Sequence, residues 1–213
     1  MKTIVAATKN KHKIMEIEAI TGRFGMNIIP RDEAGVSDVE IPETGTSFEE
    51  NSYIKAYEIM KLSGQITIAD DSGLVVDCIG GAPGVYSARF AAFPGIWPGD
   101  DDKGTADSSD RDNNSKLLEL IKGFSFEERT ARFVSVITMV FPDGRTIAAR
   151  GEVEGHLLLE ERGEGGFGYD PIFIPLGYDR TFGELPAELK NSISHRANAL
   201  KMLKEKLENI AIG

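Results

Sequence analysis

The amino-acid sequence predicts an α/β protein with two lobes around a cleft, and three observations carry that reading. The N-terminal part alternates short apolar runs with helical spacings, as βα units do. From Arg132 onward, β-rich runs separated by Pro142-Asp143-Gly144 replace this pattern and predict antiparallel pairing. Two irregular stretches, Ala91 to Asn114 and Gly163 to Pro171, break the regular elements apart. With 213 residues, 41% of them hydrophobic, the chain suits one domain over residues 1–213 that divides into two lobes.

In chain order, Thr3 to Thr8 reads as a buried strand, and Ile14, Ile17 and Ile20 mark a helix that ends near Gly22 and Gly25. Met26 to Pro30 is a second strand. Ser47, with Glu50 three residues on, forms a capping signature for a helix carrying Tyr53, Ala56, Tyr57 and Met60 and stopping by Gly64. Ile66 to Ala69 is expected as a strand that Asp70-Asp71-Ser72-Gly73 breaks before the extended run Leu74 to Ile79. Ala91 to Asn114 is expected as a long mobile surface loop leading to a short helix around Leu117, Leu118 and Ile121. Arg132 to Phe141 and Arg145 to Arg150 predict a hairpin, Glu152 to Leu159 a third strand, and Ser194 caps a helix with Ala197, Leu200, Leu203, Leu207 and Ile210 inward.

Lysine and arginine total 24 against 34 for aspartate and glutamate, a net charge of −10, which argues against nucleic acid or an anionic membrane as a partner. A polyanionic ligand then needs a locally basic pocket or a metal. Cys78 is the one cysteine, so no intrachain disulfide or cysteine-based zinc site can form, and a reducing compartment such as the cytoplasm fits. The first apolar run ends at Thr8-Lys9, short of a signal-peptide core, and no stretch approaches the roughly 18 apolar residues of a membrane span. His12, His156 and His195 are too scattered for a zinc site, and Ser72 lacks a nucleophile elbow.

Four stretches have the residue types for chemistry, each with a plainer alternative. Thr8-Lys9-Asn10-Lys11-His12-Lys13 joins strand to helix, where backbone N–H groups and lysines suit an anion; a solvated basic loop is the alternative. Asp70 and Asp71 can share one site only if the strand ends there, because adjacent residues of a strand point to opposite faces. Two unit charges about 4 Å apart repel by about 4 kcal/mol at an effective dielectric near 20, so such a site demands a cation; an Asx turn in solvent is the alternative. Glu43 or Glu50 could complete an acidic set that suits magnesium. Phe167, Gly168, Tyr169 and Asp170 could hold a planar heteroaromatic ligand or form an aromatic-anchored loop. Lys190, His195 and Arg196 offer donors near a helix N-terminus, or simply a polar first turn.

The segments TKNKHK, PETGTSFEENSYIKA, ADDSGLVVDCIGGAPGVYSARFA, GGFGYDPIF and ELKNSISHRANAL occur in the order and approximate spacing of the inosine triphosphate pyrophosphatase family, which the chain resembles from Thr3 to about Leu207. That resemblance implies an elongated mixed sheet with flanking helices, a substrate cleft between two lobes, a homodimer and dependence on Mg2+. It also implies cleavage of ITP, dITP or XTP to the monophosphate and pyrophosphate, which removes deaminated purines from the nucleotide pool. By position, Thr8 to Lys13 resembles the phosphate loop, with Lys55 and Arg89 as further cations. Glu43 and Asp71 resemble the metal-binding acids, Asp71 the proton acceptor, Asp70 its support and Ser72 a substrate contact. Phe167 to Asp170, Lys190, His195 and Arg196 resemble the nucleotide and base-recognition set. Two departures stand out: Lys9 replaces the family's common glycine, and Ala91 to Asn114 is longer and more acidic than the usual connection.

Overall fold

The computed structural model of the chain describes residues 3–22, 25–36, 39–99 and 106–211, with side chains of the last helix through Asn209. Its strands are β1 (Thr3–Ala6), β2 (Asn27–Pro30), β3 (Thr67–Val76), β4 (Thr130–Val140), β5 (Thr146–Leu157) and β6 (Phe173–Pro175). Its helices are α1 (Lys11–Thr21), α2 (Phe48–Ser63), α3 (Asp110–Ile121), α4 (Ala187–Ile193) and α5 (His195–Ala211), with a 3-10 segment over Gly84–Ala92. The six strands form one sheet in the order β2-β1-β3-β4-β5-β6. It is mixed: β1 runs parallel to β2 and β3, while β5 and β6 are antiparallel. This is the α/β architecture with flanking helices that the sequence predicts.

Local signals place most boundaries. Asn10 caps α1 by accepting from the N–H groups of His12 and Lys13 at 3.0 and 3.2 Å. Ser47 accepts from the Glu50 N–H to start α2, and Glu50 reaches back to the N–H and hydroxyl of Thr46. Gly64 ends α2 at φ 66°, in the left-handed region that glycine enters without cost.

The chain forms two compact units, one of Met1–Asp71, Ser135–Gly151 and Ser194–Gly213, the other of Ser72–Val134 and Glu152–Ile193. In the first unit, Ile17 and Ile20 of α1 pack with Ile68, Ile137, Ala197, Leu200 and Leu203, while Val5, Ala56, Ile59, Ala69 and Val140 form a second cluster. In the second unit, Leu74, Phe90, Phe93, Leu117, Ile121, Phe133, Phe173 and Phe182 build one aromatic-rich core. Among the described residues, no helix is long and apolar enough to cross a membrane.

Three expectations need correction. Asp70 to Gly73 does not break a strand: β3 runs unbroken from Thr67 to Val76, because both buried aspartates find partners that satisfy their charge. β5 likewise joins two expected strands into one of 12 residues. The helix expected around Leu117 begins at Asp110, where Ser109 caps it, and Asn113 and Asn114 are buried rather than part of a surface loop; residues 100–105 of that stretch lie outside the described residues. Tyr53 and Tyr57 stack on the exposed side of α2, because its inward face is taken by Asn51, Ser52, Lys55, Ala56 and Ile59.

Gly151 shows how β5 and α5 fit in the first unit. A Cβ there would lie 2.2 Å from the Ala199 nitrogen and 2.3 Å from the His195 carbonyl oxygen. Both neighbours are helix backbone and cannot rotate away. Gly151→Ala should therefore lower stability by about 1–3 kcal/mol, as overpacking does, measured by urea unfolding of the whole chain; an unchanged midpoint would remove the close approach as a constraint.

Candidate active site

Alternation along β3 sends the two aspartates to different surroundings. Asp70 is 1% exposed and meets the Arg196 guanidinium at 3.0 Å, the Lys13 ammonium at 2.9 Å and the Ser135 hydroxyl. Arg196, from the first turn of α5, also pairs with Glu16 of α1. Burial alone would raise the Asp70 carboxyl, but the charges of Arg196 and then Lys13 outweigh it and hold the group well below the usual carboxylate range. Asp70 is thus an anchor that stays charged across the neutral range.

Asp71 faces α2. Its Oδ1 accepts from Lys55 Nζ at 2.7 Å, and the same ammonium donates to Glu43 at 2.8 Å. Asn51, one helical turn before Lys55, donates to Asp71 Oδ2 at 3.4 Å and accepts from the Gly45 N–H at 2.8 Å, which ties the Glu43 loop to the acid. Gly45 is required there, since a Cβ would lie 2.6 Å from Glu50 and 2.7 Å from Asn51. Burial, with the Glu43 charge added, outweighs Lys55 and keeps the Asp71 carboxyl above the usual range. Burial would likewise lower Lys55, but its two acids overcome that and keep it charged.

Two carboxylates drawn to a single cation form a donor set of hard oxygens. Among the described residues no group of three or more His, Cys, Asp or Glu could hold a metal. Glu43 and Asp71 are the carboxylates here that could hold a hard divalent ion.

In the second unit, Gly165 to Pro171 folds around Asp170. Its Oδ2 accepts from the Phe167 N–H at 2.8 Å and from Lys190 Nζ at 2.6 Å. Lys190 also stands 4.9 Å from the Phe167 ring centroid, which gives a half-buried ring with a cation over it. Tyr169 offers no open face: it is buried in the core and its hydroxyl donates to the Ser87 carbonyl at 2.8 Å. Arg89 lies in the 3-10 segment, its guanidinium 5.4 Å from the Tyr86 ring.

Comparison with known proteins gives the family. The sequence model of the Ham1 family matches residues 4–206. The chain belongs to the Ham1 family. A dITP/XTP pyrophosphatase of Clostridium perfringens is 43% identical over 216 residues, covering 99% of each chain. One of Bacillus subtilis is 43% identical over 208 residues, covering 98% of each. Among solved structures, the Staphylococcus aureus Ham1 protein matches with TM-score 0.78 at 39% identity over 98% of this chain and 99% of the other. A HAM1 protein from Coxiella burnetii gives 0.80 at 36% over 98% and 100%.

In this Ham1 chain the first unit brings Lys13, Glu43, Lys55, Asp70, Asp71 and Arg196 together, and the second brings Phe167, Gly168, Asp170 and Lys190 together. The basic loop is split in role: Lys9, Lys11 and His12 are exposed, Thr8 accepts from the Asn10 N–H, and Asn10 occupies two of the helix-start N–H groups expected to face an anion. His195 and Arg196 are buried, and Arg196 is committed to Asp70 and Glu16. Ser72 is half-buried on β3. Sequence reasoning missed Glu16, Asn51 and Ser135. Their signal was polarity at inward positions: Glu16 beside Ile17, Asn51 one turn before Lys55, and Ser135 inside the apolar run of β4.

Asp70→Asn should cost about 3–5 kcal/mol at pH 7, since it leaves Arg196 buried without its charge partner. The folded-state value of Asp70 is depressed, so its contribution is complete above the unfolded value near 3.9 and fades as pH falls toward the folded one. The gap between wild type and variant in urea unfolding should therefore be constant from about pH 7 to pH 5 and narrow below about pH 4. A gap independent of pH down to about pH 3 would contradict the ion pair.

Proposed function

We propose that the chain hydrolyses non-canonical purine nucleoside triphosphates, ITP, dITP and XTP, to the monophosphate and pyrophosphate, as a cytoplasmic, Mg2+-dependent homodimer. The observation that carries this reading is the pair of carboxylates, Glu43 and Asp71, gathered on the Lys55 ammonium at 2.8 and 2.7 Å. The names of the relatives, dITP/XTP pyrophosphatases at 43% identity over the full chain, support the substrate class.

Glu43 and Asp71 would hold the Mg2+, which when bound supplies the positive charge that a triphosphate requires near an acidic protein. Asp71 is the general base, accepting a proton from the water that attacks the α-phosphorus. Asp70 cannot share that task, because Arg196 and Lys13 keep it charged and weakly basic. Its work is to hold Lys13 and Arg196 in place. Lys55 and Lys13 are the cations for charge developing on the phosphate oxygens.

For the base, Lys190 and Phe167 supply a donor and a flat apolar face. A purine with a 6-oxo group accepts from such a donor, whereas the amino group of adenine would leave donor facing donor.

Purified protein with Mg2+ should release pyrophosphate from ITP, dITP and XTP far faster than from ATP; orthophosphate as the product, or equal turnover of ATP, would reject the reading. Asp71→Asn should lower kcat by about 10²–10⁴, the range of general-base loss, while Asp71→Asn turnover equal to wild type would exclude Asp71 as the base. Chelation of divalent ions should abolish the reaction and added Mg2+ restore it. Lys190→Met should raise KM for ITP and shrink the ITP-to-ATP ratio by about tenfold, one lost hydrogen bond to a charged group.

A further inference from the structure

The segment from Ala91 to Asn114 has no part in the reading above, yet its end does something specific. α3 presents Asp110 and Asn114 one helical turn apart on the same face. Asp110 Oδ2 accepts from the Gly168 N–H at 2.7 Å, and Asn114 Nδ2 donates to the Gly168 carbonyl at 3.1 Å. Both polar groups of one glycine are therefore held by one helix. We propose that Asp110 and Asn114 are positioning residues for purine recognition, setting the backbone at Gly168 and with it the Phe167 ring and the Asp170–Lys190 pair. This rests on the function proposed above.

The helix is well placed to act as a rigid support. Leu117 and Ile121 anchor it in the core. Asn113, buried beside Asn114, accepts from the Ala91 N–H at 2.8 Å and donates to the Ala88 carbonyl at 3.0 Å. Lys116 donates to the carbonyls of Phe90, Phe93 and Gly95. A side chain projecting from such a helix has little freedom to follow a moving loop.

The loop has the opposite character at Gly168. Its backbone is left-handed, φ +62°, and apart from its chain neighbours no atom lies within 4 Å of a Cβ built there. Neighbouring turns are closed by other bonds, Gly165 N–H to the Gly183 carbonyl and Phe167 N–H to Asp170. Removing the α3 contacts would free the Gly168 peptide while leaving those turns intact.

The amide of Asn114 has only one workable orientation. Its nitrogen donates to two acceptors, the Gly168 carbonyl and, at 2.8 Å, Glu161 Oε1, while its oxygen is buried without a hydrogen-bond partner. A flipped amide would set oxygen against both acceptors. The position therefore tolerates an orphaned acceptor, which an apolar residue would avoid, in order to supply donors to the loop. Asn114→Asp is close to isosteric and replaces both donations with repulsion.

The test combines steady-state kinetics with amide hydrogen exchange on the whole chain. Asp110→Ala and Asn114→Asp should raise KM for ITP about tenfold and change kcat less than about threefold, the loss of one charge-assisted bond expressed in binding. Asp110→Asn retains an acceptor oxygen and should restore KM to near the wild-type value. In the absence of nucleotide, the Gly168 amide should exchange faster in Asp110→Ala than in wild type or Asp110→Asn. Wild-type KM in both Asp110→Ala and Asn114→Asp, equal proportional losses in kcat and kcat/KM, or unchanged exchange at Gly168 would overturn the proposal. Should either variant fail to fold, Asn114→Ala gives the same readouts with the same criteria. If wild type releases no pyrophosphate from ITP, the functional reading fails by itself, and exchange at Gly168 still judges the clamp.

Discussion

Asp70 carries its charge in the middle of a buried strand, where an unpaired carboxylate would be intolerable, and the first unit is organised around meeting that demand. Arg196 comes from the start of α5, Lys13 from the first turn of α1, and Ser135 from β4. Glu16 then balances Arg196. Elements distant in sequence are thereby held at one point of the sheet, and Ile17, Ile68, Ala197 and Leu200, each a sequence neighbour of a member of the ion cluster or of its element, pack in one apolar cluster. Breaking a buried pair leaves the surviving charge stranded, which is why a single ionic cluster can matter as much as a large share of the core.

The neighbouring residue shows how the same demand, met differently, gives a different electrostatic setting. Asp71 points to the other face of β3 and must share one ammonium with Glu43. Where Asp70 has more positive charge than it needs, Asp71 has less. Two carboxylates a residue apart thus acquire opposite shifts, one held charged and one raised, from the cations that each face provides. An acidic protein can in this way assemble a local site for an acidic ligand without becoming basic overall.

The second unit solves a different problem with the same economy. The Gly165 to Pro171 loop needs glycine to reach its conformation, and glycine does nothing to maintain it. Asp170 satisfies the loop from within, at Phe167 and Lys190, and Tyr169 ties it to the core through Ser87. α3 then holds Gly168 from outside. Flexibility of the backbone and rigidity of its supports are supplied by different residues.

Periodicity and capping made most elements legible: Asn27–Pro30, the Ser47 and Gly64 limits of α2 and the Ser194-capped α5 all follow from nearest-neighbour chemistry. The acids of the site were legible too, since Asp70 and Asp71 follow an apolar run and Glu43 could complete the set, whereas Lys55 is marked only by the family resemblance. The course of β3 was not. Sequence favours a turn at Asp-Asp-Ser-Gly, because the partners that allow a strand there lie 16 residues away at Lys55 and 126 away at Arg196. Nor could Asn114 be read as a support of Gly168, 54 residues on, from a stretch that looks like a polar loop. The sequence by itself determined which residues could bear charge and where the chain could turn. Only the tertiary structure decided which cation each carboxylate meets, because that pairing depends on distances set by packing and not by separation along the chain.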